Sequence, residues 1–299
     1  MKIVAKEKID LMNPKVDFVF KCIFGNEKQP EILISFLNGV FNLPYEKRIV
    51  KVEIENSHLK KEEIEDKYSI LDIKATANDE TKIDIEIQIA NKYDMIPRTL
   101  YYLSKLIEGQ LKEKDQYKKL MKSVTINILD FKILTENERI HNSFVFKEKE
   151  TNEVLTELAE IHFIELEKLR NKKDIDKNNL LNEWLMFIEN PESEEIEMIA
   201  KKIPEIKEAK KTLEILSLDK KARMTYEQRQ KALKDKISML SGAKEEGIKE
   251  GMEKGREEGI KKGIETVAKN MLENGMSIDM VAKITGLDRE KVEEIENRI

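Results

Sequence analysis

The sequence predicts an α/β fold in its first half and a helical second half. Two short segments, Ser69–Ala75 and Lys82–Ile89, alternate apolar and polar residues with the period of two that marks strands. Val16, Val19, Phe20, Ile23 and Phe24 recur at helical spacing, as do Ile32, Leu33, Phe36, Leu37, Val40 and Phe41. From Asn178 to the end only the helical period remains. At 299 residues, a core with one or two smaller modules is expected.

In chain order, the first two patterns form a helical pair around Gly25, and residues 49–56, 69–75 and 82–90 read as strands. The turn formers in Thr76–Thr81 make the second and third of these a hairpin. Pro97 suits a helix first turn, which predicts a helix over Arg98–Leu111 with Leu100, Leu103, Leu106, Ile107 and Leu111 as its apolar stripe. Val124–Phe131 reads as a strand, and Ser143–Glu148 with Ile161–Leu166 as a second hairpin. The expected division is an α/β core at 1–170, a helical extension at 171–241, a glycine-spaced helix at 242–266 and a small helical module at 267–299.

Gly247, Gly251, Gly255, Gly259 and Gly263 fall every fourth residue. Each glycine costs a helix about 1 kcal/mol against alanine. A strict spacing of four points to a stripe that a second backbone can approach, hence a self-associating helix and a homo-oligomer. A flexible linker rich in Gly, Glu and Lys is the alternative. Beyond it, Val267–Glu273, Ile278–Ile284 and Arg289–Ile295 follow one another in the order of a small helix-turn-helix, with Ser277 and Asp288 as N-caps. The third helix holds Glu293, Glu294 and Glu296, which suits a plain helical cap as well as a DNA reader.

Charged residues make up 38% of the chain, yet the net charge is only −5, so a uniformly basic nucleic-acid binder is excluded and any DNA contact must be local. Cys22 is the only cysteine, which removes disulfides, and its apolar neighbours predict a buried spectator. No apolar leader core lies in Met1–Asp10 and no run approaches a membrane span, so the expected location is cytoplasmic. His58, His141 and His162 have no ligand-like spacing, and neither a phosphate-binding glycine loop nor a nucleophile-elbow serine is present.

The chemistry lies in the first hairpin. Asp84, Glu86 and Gln88 share one strand face while Ile83, Ile85, Ile87 and Ile89 share the other, and Asp72 can approach Glu86 across the pair. Two carboxylates on neighbouring strands suit a hard divalent ion, which in phosphodiester hydrolysis neutralises phosphoryl charge and activates water. Polar-face acids also read as solvated surface, and Asp84 is read that way. Gln88 can orient a water or a phosphate but lends no charge; Lys74, on the strand face of Asp72, can supply the cation. Arg98 and Tyr102, four apart on the next helix, are placed to hold a phosphate or form the site wall. Tyr101 and Lys105 also share a face, and Asp17 with Lys21 forms a similar pair, with Asp17 a secondary site candidate.

This order of motifs resembles the Rpn family of recombination-promoting nucleases, also described as PD-(D/E)XK nuclease family transposases. The resemblance rests on Asp17-Phe-Val-Phe-Lys21 through Gly25, Leu71-Asp72, Ile85-Glu86-Ile-Gln88, Arg98 with Tyr101 and Tyr102, Gln110, Tyr117, Glu165-Leu-Glu-Lys168, Trp184, Tyr226 and the glycine series. It implies a restriction-endonuclease-like core with a mixed sheet flanked by helices over 1–170. It also implies Asp72 and Glu86 as ligands of Mg²⁺ or Mn²⁺, and Gln88 where many members of the wider superfamily have lysine. Lys114 and Ser123 depart from it, standing where glycine and proline are common. The implied function is a metal-dependent DNA endonuclease with a link to recombination or mobile elements. The alternative is a catalytically silent DNA-binding or assembly protein on the same scaffold.

Overall fold

In the computed structural model of the chain, residues 9–55, 72–78, 80–90, 94–172 and 174–299 are described. His58 and the first three residues of the expected 69–75 strand lie outside them. Helices α1 (Asp17–Phe24) and α2 (Pro30–Phe41) lead into strands β1 (Val52–Glu55), β2 (Ile73–Ala77) and β3 (Lys82–Gln88), followed by helix α3 (Met95–Glu108). Strands β4 (Ser123–Leu129), β5 (His141–Lys147) and β6 (Val154–Glu165) come next. Helices α4 (Leu166–Asn171), α5 (Leu180–Glu189), α6 (Glu194–Lys202), α7 (Pro204–Leu218), α8 (Lys220–Glu273), α9 (Ile278–Thr285) and α10 (Arg289–Glu296) complete the chain.

The described strands form one mixed sheet in the order β1-β2-β3-β4-β6-β5. The centre, β3-β4-β6, is parallel, while β1-β2-β3 and β6-β5 pair antiparallel. Together with the flanking helices, this is the mixed-sheet α/β architecture expected. A parallel centre requires helical crossovers that cover the sheet, so its strands are buried on both faces. β4 is buried along its whole length and β3 from Ile83 onward. That corrects the reading of one core face and one solvated face.

On the first face, Ile73, Ile83, Ile85, Val124, Ile126 and Ile128 join the main core with residues of α1, α2, α5 and α7. Phe20, Phe24, Phe36 and Trp184 form its aromatic centre, with Phe24 and Trp184 ring centroids 5.3 Å apart. The buried indole donates to Ser35 Oγ at 3.2 Å, which satisfies its one polar atom. Gly39 is required where α2 meets the start of α5: an added Cβ would lie 3.0 Å from the Leu181 nitrogen and 3.2 Å from the Leu180 carbonyl carbon. Backbone cannot retreat as a flexible side chain can.

The second face is covered by α3. Its buried residues are Met95, Thr99 and Leu103, whereas Leu100 is exposed, so the inward stripe is rotated from the expected one. A polar partner explains the rotation: Thr99 Oγ1 donates to Asn127 Oδ1 at 3.0 Å, and Asn127 Nδ2 donates to the His162 carbonyl at 3.2 Å. Both side chains are buried, and leaving either unpaired would cost about 1–3 kcal/mol.

Two charge pairs, one buried and one partly buried, tie distant segments together. Glu165 Oε1 accepts from the backbone nitrogens of Ile133 and Leu134, while Lys168 Nζ donates to Glu165 and to the Leu134 carbonyl, pinning the connection after β4. Arg229, in the first part of α8, donates to Asp17 at the start of α1 at 2.7 Å. His141 and His162, far apart in sequence, are brought together on β5 and β6 with ring nitrogens 2.7 Å apart. Burial and then His162 push His141 down to about 4, so His141 is neutral at pH 7. Burial likewise pushes the half-buried Cys22 thiol up to about 12, consistent with an inert spectator. Lys114 sits at φ 73°, a left-handed conformation that glycine adopts without strain.

Residues up to Lys234 form one compact unit and Asp235–Ile299 a second. In the second, Ala268 and Leu272 of α8 pack with Val281, Val292 and Ile295. The expected separate helix at Val267–Glu273 is therefore the end of a 54-residue helix. The five regularly spaced glycines lie within that continuous helix, and a Cβ added at any of them would meet nothing within 4 Å. No described helix is long and apolar enough to cross a membrane.

Candidate active site

β2 and β3 pair so that Lys74 lies opposite Asp84 and Ile73 opposite Ile85. Continuing that register sets Asp72, just before β2, level with Glu86. On β3 the alternation turns Asp84, Glu86 and Gln88 away from the isoleucine core and toward α3. Asp84 is only 3% exposed and Glu86 5%, whereas the Asp72 side chain keeps 30% of its surface in solvent. Asp84 is thus a buried member of the site and not the solvated residue its alternation suggested. No local signal reveals this: the neighbouring strand Val124–Leu129 itself alternates, with Thr125 and Asn127 between apolar residues, and burial of that polar face comes from the assembly of the parallel centre under α3.

The electrostatics follow from this crowding. Asp84 is raised far above the ordinary carboxylate range, first by burial and then by the charges of Asp72 and Glu86. Glu86 is also raised, chiefly by burial, while Arg98 and a hydrogen bond from Gln88 act in the opposite direction. Arg98 Nε lies 3.4 Å from Glu86 Oε2, and its guanidinium sits 5.0 Å from the Tyr102 ring centre while donating to the Tyr102 hydroxyl at 3.4 Å. Arg98 is therefore engaged by Glu86 and Tyr102. Lys74 Nζ lies 3.4 Å from Asp72 Oδ2; burial opposes its charge, but Asp72 and Asp84 hold its pKa above the ordinary lysine value.

Asp84 Oδ1 and Thr125 Oγ1 are buried without a hydrogen-bond partner among the described residues, and Glu86 Oε2 has the 3.4 Å ion pair with Arg98 Nε but no well-directed hydrogen bond. Thr125 lies directly opposite Asp84 in the β3–β4 ladder. Buried polar atoms left unpaired are rare because each costs about 1–3 kcal/mol. A cluster of unpaired oxygen donors and mutually repelling carboxylates fits a hard cation, which satisfies the oxygens and cancels the repulsion together. Among the described residues no three His, Cys, Asp or Glu side chains form a complete metal-holding group. Mg²⁺ needs none, since it keeps several waters and binds through one or two carboxylates together with phosphate oxygens.

Of the other expected site residues, Gln88 is buried beside Glu86, and Asp17 opens α1 in contact with Arg229. Gln110 has a structural part: its amide bonds the Met121 backbone and the Ser123 hydroxyl, fixing the chain as it enters β4. Serine in place of proline at 123 makes the second of these bonds possible.

A family model described as "PD-(D/E)XK nuclease family transposase" matches residues 14–243, and one described as "Rpn/YhgA-like nuclease family, C-terminal HTH domain" matches residues 263–296. No curated protein and no solved structure gives a match.

Replacing Asp84 separates a site from a structural element. Its folded-state pKa is raised, so the folded chain holds a proton that the unfolded chain releases, and stability falls as pH rises above the unfolded value. Metal-free Asp84→Asn should therefore melt about 5 °C above the parent at pH 7, with the gap closing toward pH 4. Adding Mn²⁺ should raise the parent's melting temperature and move the variant's by less than half as much. Differential scanning calorimetry with and without EDTA reads both effects; a variant less stable than the parent at pH 7 would contradict the assignment.

Proposed function

Since the chain belongs to the PD-(D/E)XK nuclease family transposases and carries the C-terminal domain of the Rpn/YhgA-like nucleases, we propose that it is a metal-dependent DNA endonuclease acting through the β2–β3 hairpin. The observation that carries this reading is the buried oxygen cluster of Asp84 and Glu86 beside Asp72. In the proposed site Asp72 and Glu86 hold Mg²⁺ or Mn²⁺, with Asp84 as a third carboxylate. When bound there, such an ion supplies Lewis acidity and lowers the pKa of a coordinated water.

The chain's own groups do the rest. Gln88 steadies Glu86 and offers its amide to the attacking water or a phosphoryl oxygen. Lys74, partly exposed and next to Asp72, replaces the charge that a lysine at position 88 would bring. Arg98 opposes the rise of the Glu86 pKa and is itself steadied by Tyr102, so this pair forms the site wall, in reach of a phosphate. Asp17 acts at a remove, through the α1–α8 contact with Arg229.

The same buried Gln88 favours a second reading, a catalytically silent DNA-binding or assembly protein. Arg289 of the C-terminal domain pairs with Asp279 and Glu293, and Lys291 with Glu294, which leaves little free positive charge on α10 for a groove. We further propose that the glycine stripe of α8 brings two copies together. Its spacing of four gains about 40° per step on a helix of 3.6 residues per turn, so two such helices cross and meet over two or three glycines. Analytical ultracentrifugation tests this: mass should rise with concentration and fall back to monomer in Gly255→Leu, whereas a monomer throughout removes the idea.

Plasmid nicking decides between the two readings. In Mg²⁺ or Mn²⁺ the parent should nick and EDTA should stop it, while Asp72→Ala and Glu86→Ala should each slow cutting at least 100-fold. Lys74→Ala should slow it about tenfold or more. Variants that cut as fast as the parent would refute the site, and DNA binding without cleavage across a range of metals would establish the silent scaffold.

A further inference from the structure

Beside the carboxylates, and sharing Asp84 with them, lies a cleft of about 430 Å³ between the open part of the sheet and α3. Its charged lining is unbalanced: Lys74, Lys82, Lys105 and Lys119 stand against two carboxylates, Glu55 and Asp84. The lysines arrive from β2, β3, α3 and the short 3₁₀ turn Tyr117–Lys119, so four separate elements converge their cations on one space. Three of them are held by exposed or part-exposed acids outside the carboxylate cluster. Lys82 reaches Glu55 at 3.0 Å, Lys105 reaches Glu108 at 3.3 Å and Lys119 reaches Asp115 at 2.5 Å. Such surface pairs are worth about 0–1 kcal/mol and yield readily to a stronger anion.

Two aromatic side chains stand open near this cleft. Tyr117 is 83% exposed at the start of the turn that carries Lys119, and Tyr101 is 60% exposed beside Tyr102, which lines the cleft. A positively charged groove with open aromatic faces beside it is the combination that tracks a phosphate backbone and stacks its bases. The volume falls in the range of small-ligand clefts, with room for about one nucleotide of a single strand and not for a duplex. We propose that this cleft is a single-strand subsite: it takes the nucleotide next to the scissile bond, with Lys82, Lys105 and Lys119 on its flanking phosphates and Tyr101 or Tyr117 stacked on a base. The substrate is then single-stranded nucleic acid, or a duplex that offers a single strand at an end, a gap or a locally unpaired stretch such as supercoiling opens in a plasmid. This deepens the nuclease reading and rests on it, because a strand lying here presents its next phosphate to Asp84 and Glu86.

Fluorescence anisotropy with a single-stranded 15-mer and its blunt duplex, in EDTA across a salt series, tests the subsite without any turnover. The parent should bind the single strand at least tenfold more tightly than the duplex. Lys82→Gln/Lys105→Gln/Lys119→Gln should flatten the plot of log affinity against log salt by about 2, since each phosphate contact on a single strand contributes about 0.7. Tyr117→Ala should weaken the single strand about tenfold. The same three lysines changed to arginine should keep the slope, which guards against a folding defect. Changing Lys201, Lys207 and Lys211 of α6 and α7 to glutamine should leave the slope unaltered. An unchanged slope in the first variant, an equal loss in the second set, or tighter binding of the duplex would each overturn the proposal. The two levels fail separately: plasmid nicking with an unaltered salt slope sinks the cleft alone, and a flattened slope in a protein that never cuts sinks the nuclease alone.

Discussion

The rest of the structure depends on one constraint: β3 is buried on both faces, yet one of those faces carries Asp84, Glu86 and Gln88. The isoleucine face contributes to the core beneath α1 and α2 as any apolar strand would. The other face opposes folding, because carboxylates removed from water repel one another and leave oxygens unpaired. The chain tolerates this because the surrounding polar atoms are elsewhere satisfied with care, as Thr99, Asn127, Glu165 and Lys168 show. Strain kept at one place in an otherwise consistent fold is the usual sign of a functional site.

How much of this the sequence discloses varies with the range of the interaction. Asp72 and Glu86 were legible because the hairpin is local and the period of two fixes which side chains share a face. Asp84 was misjudged for a related reason: alternation tells which face a residue occupies but not whether that face is covered. The covering helix α3 showed its period, but its orientation was set by Asn127 on β4, and so its true inward stripe was hidden. Gly39 could not be read at all, since its need arises from a backbone more than 140 residues away. The His141–His162 and Asp17–Arg229 contacts were invisible for the same reason, being made only when the sheet and helices assemble.

The C-terminal half illustrates the converse. Its helical period, its caps and the breaks at Gly275 and Gly286 are local signals, and both glycines adopt the positive φ that ends a helix. What local signals missed was continuity: α8 runs through both the glycine series and the segment after it. A helix with five glycines at its surface has given up backbone stability that nothing among the described residues restores, since an added Cβ there meets no neighbour among them. The acids of α9 and α10 likewise neutralise much of the positive charge of the C-terminal helices.

The central claim is that the polar face of the hairpin is shaped for a divalent cation. Crystals soaked in Mn²⁺ and measured for anomalous scattering test it most directly. A single strong peak within 2.5 Å of carboxylate oxygens from both strands, Asp72 on one side and Glu86 or Asp84 on the other, is the predicted result. A fully occupied peak elsewhere on the molecule, with the hairpin empty at saturating Mn²⁺, would contradict it.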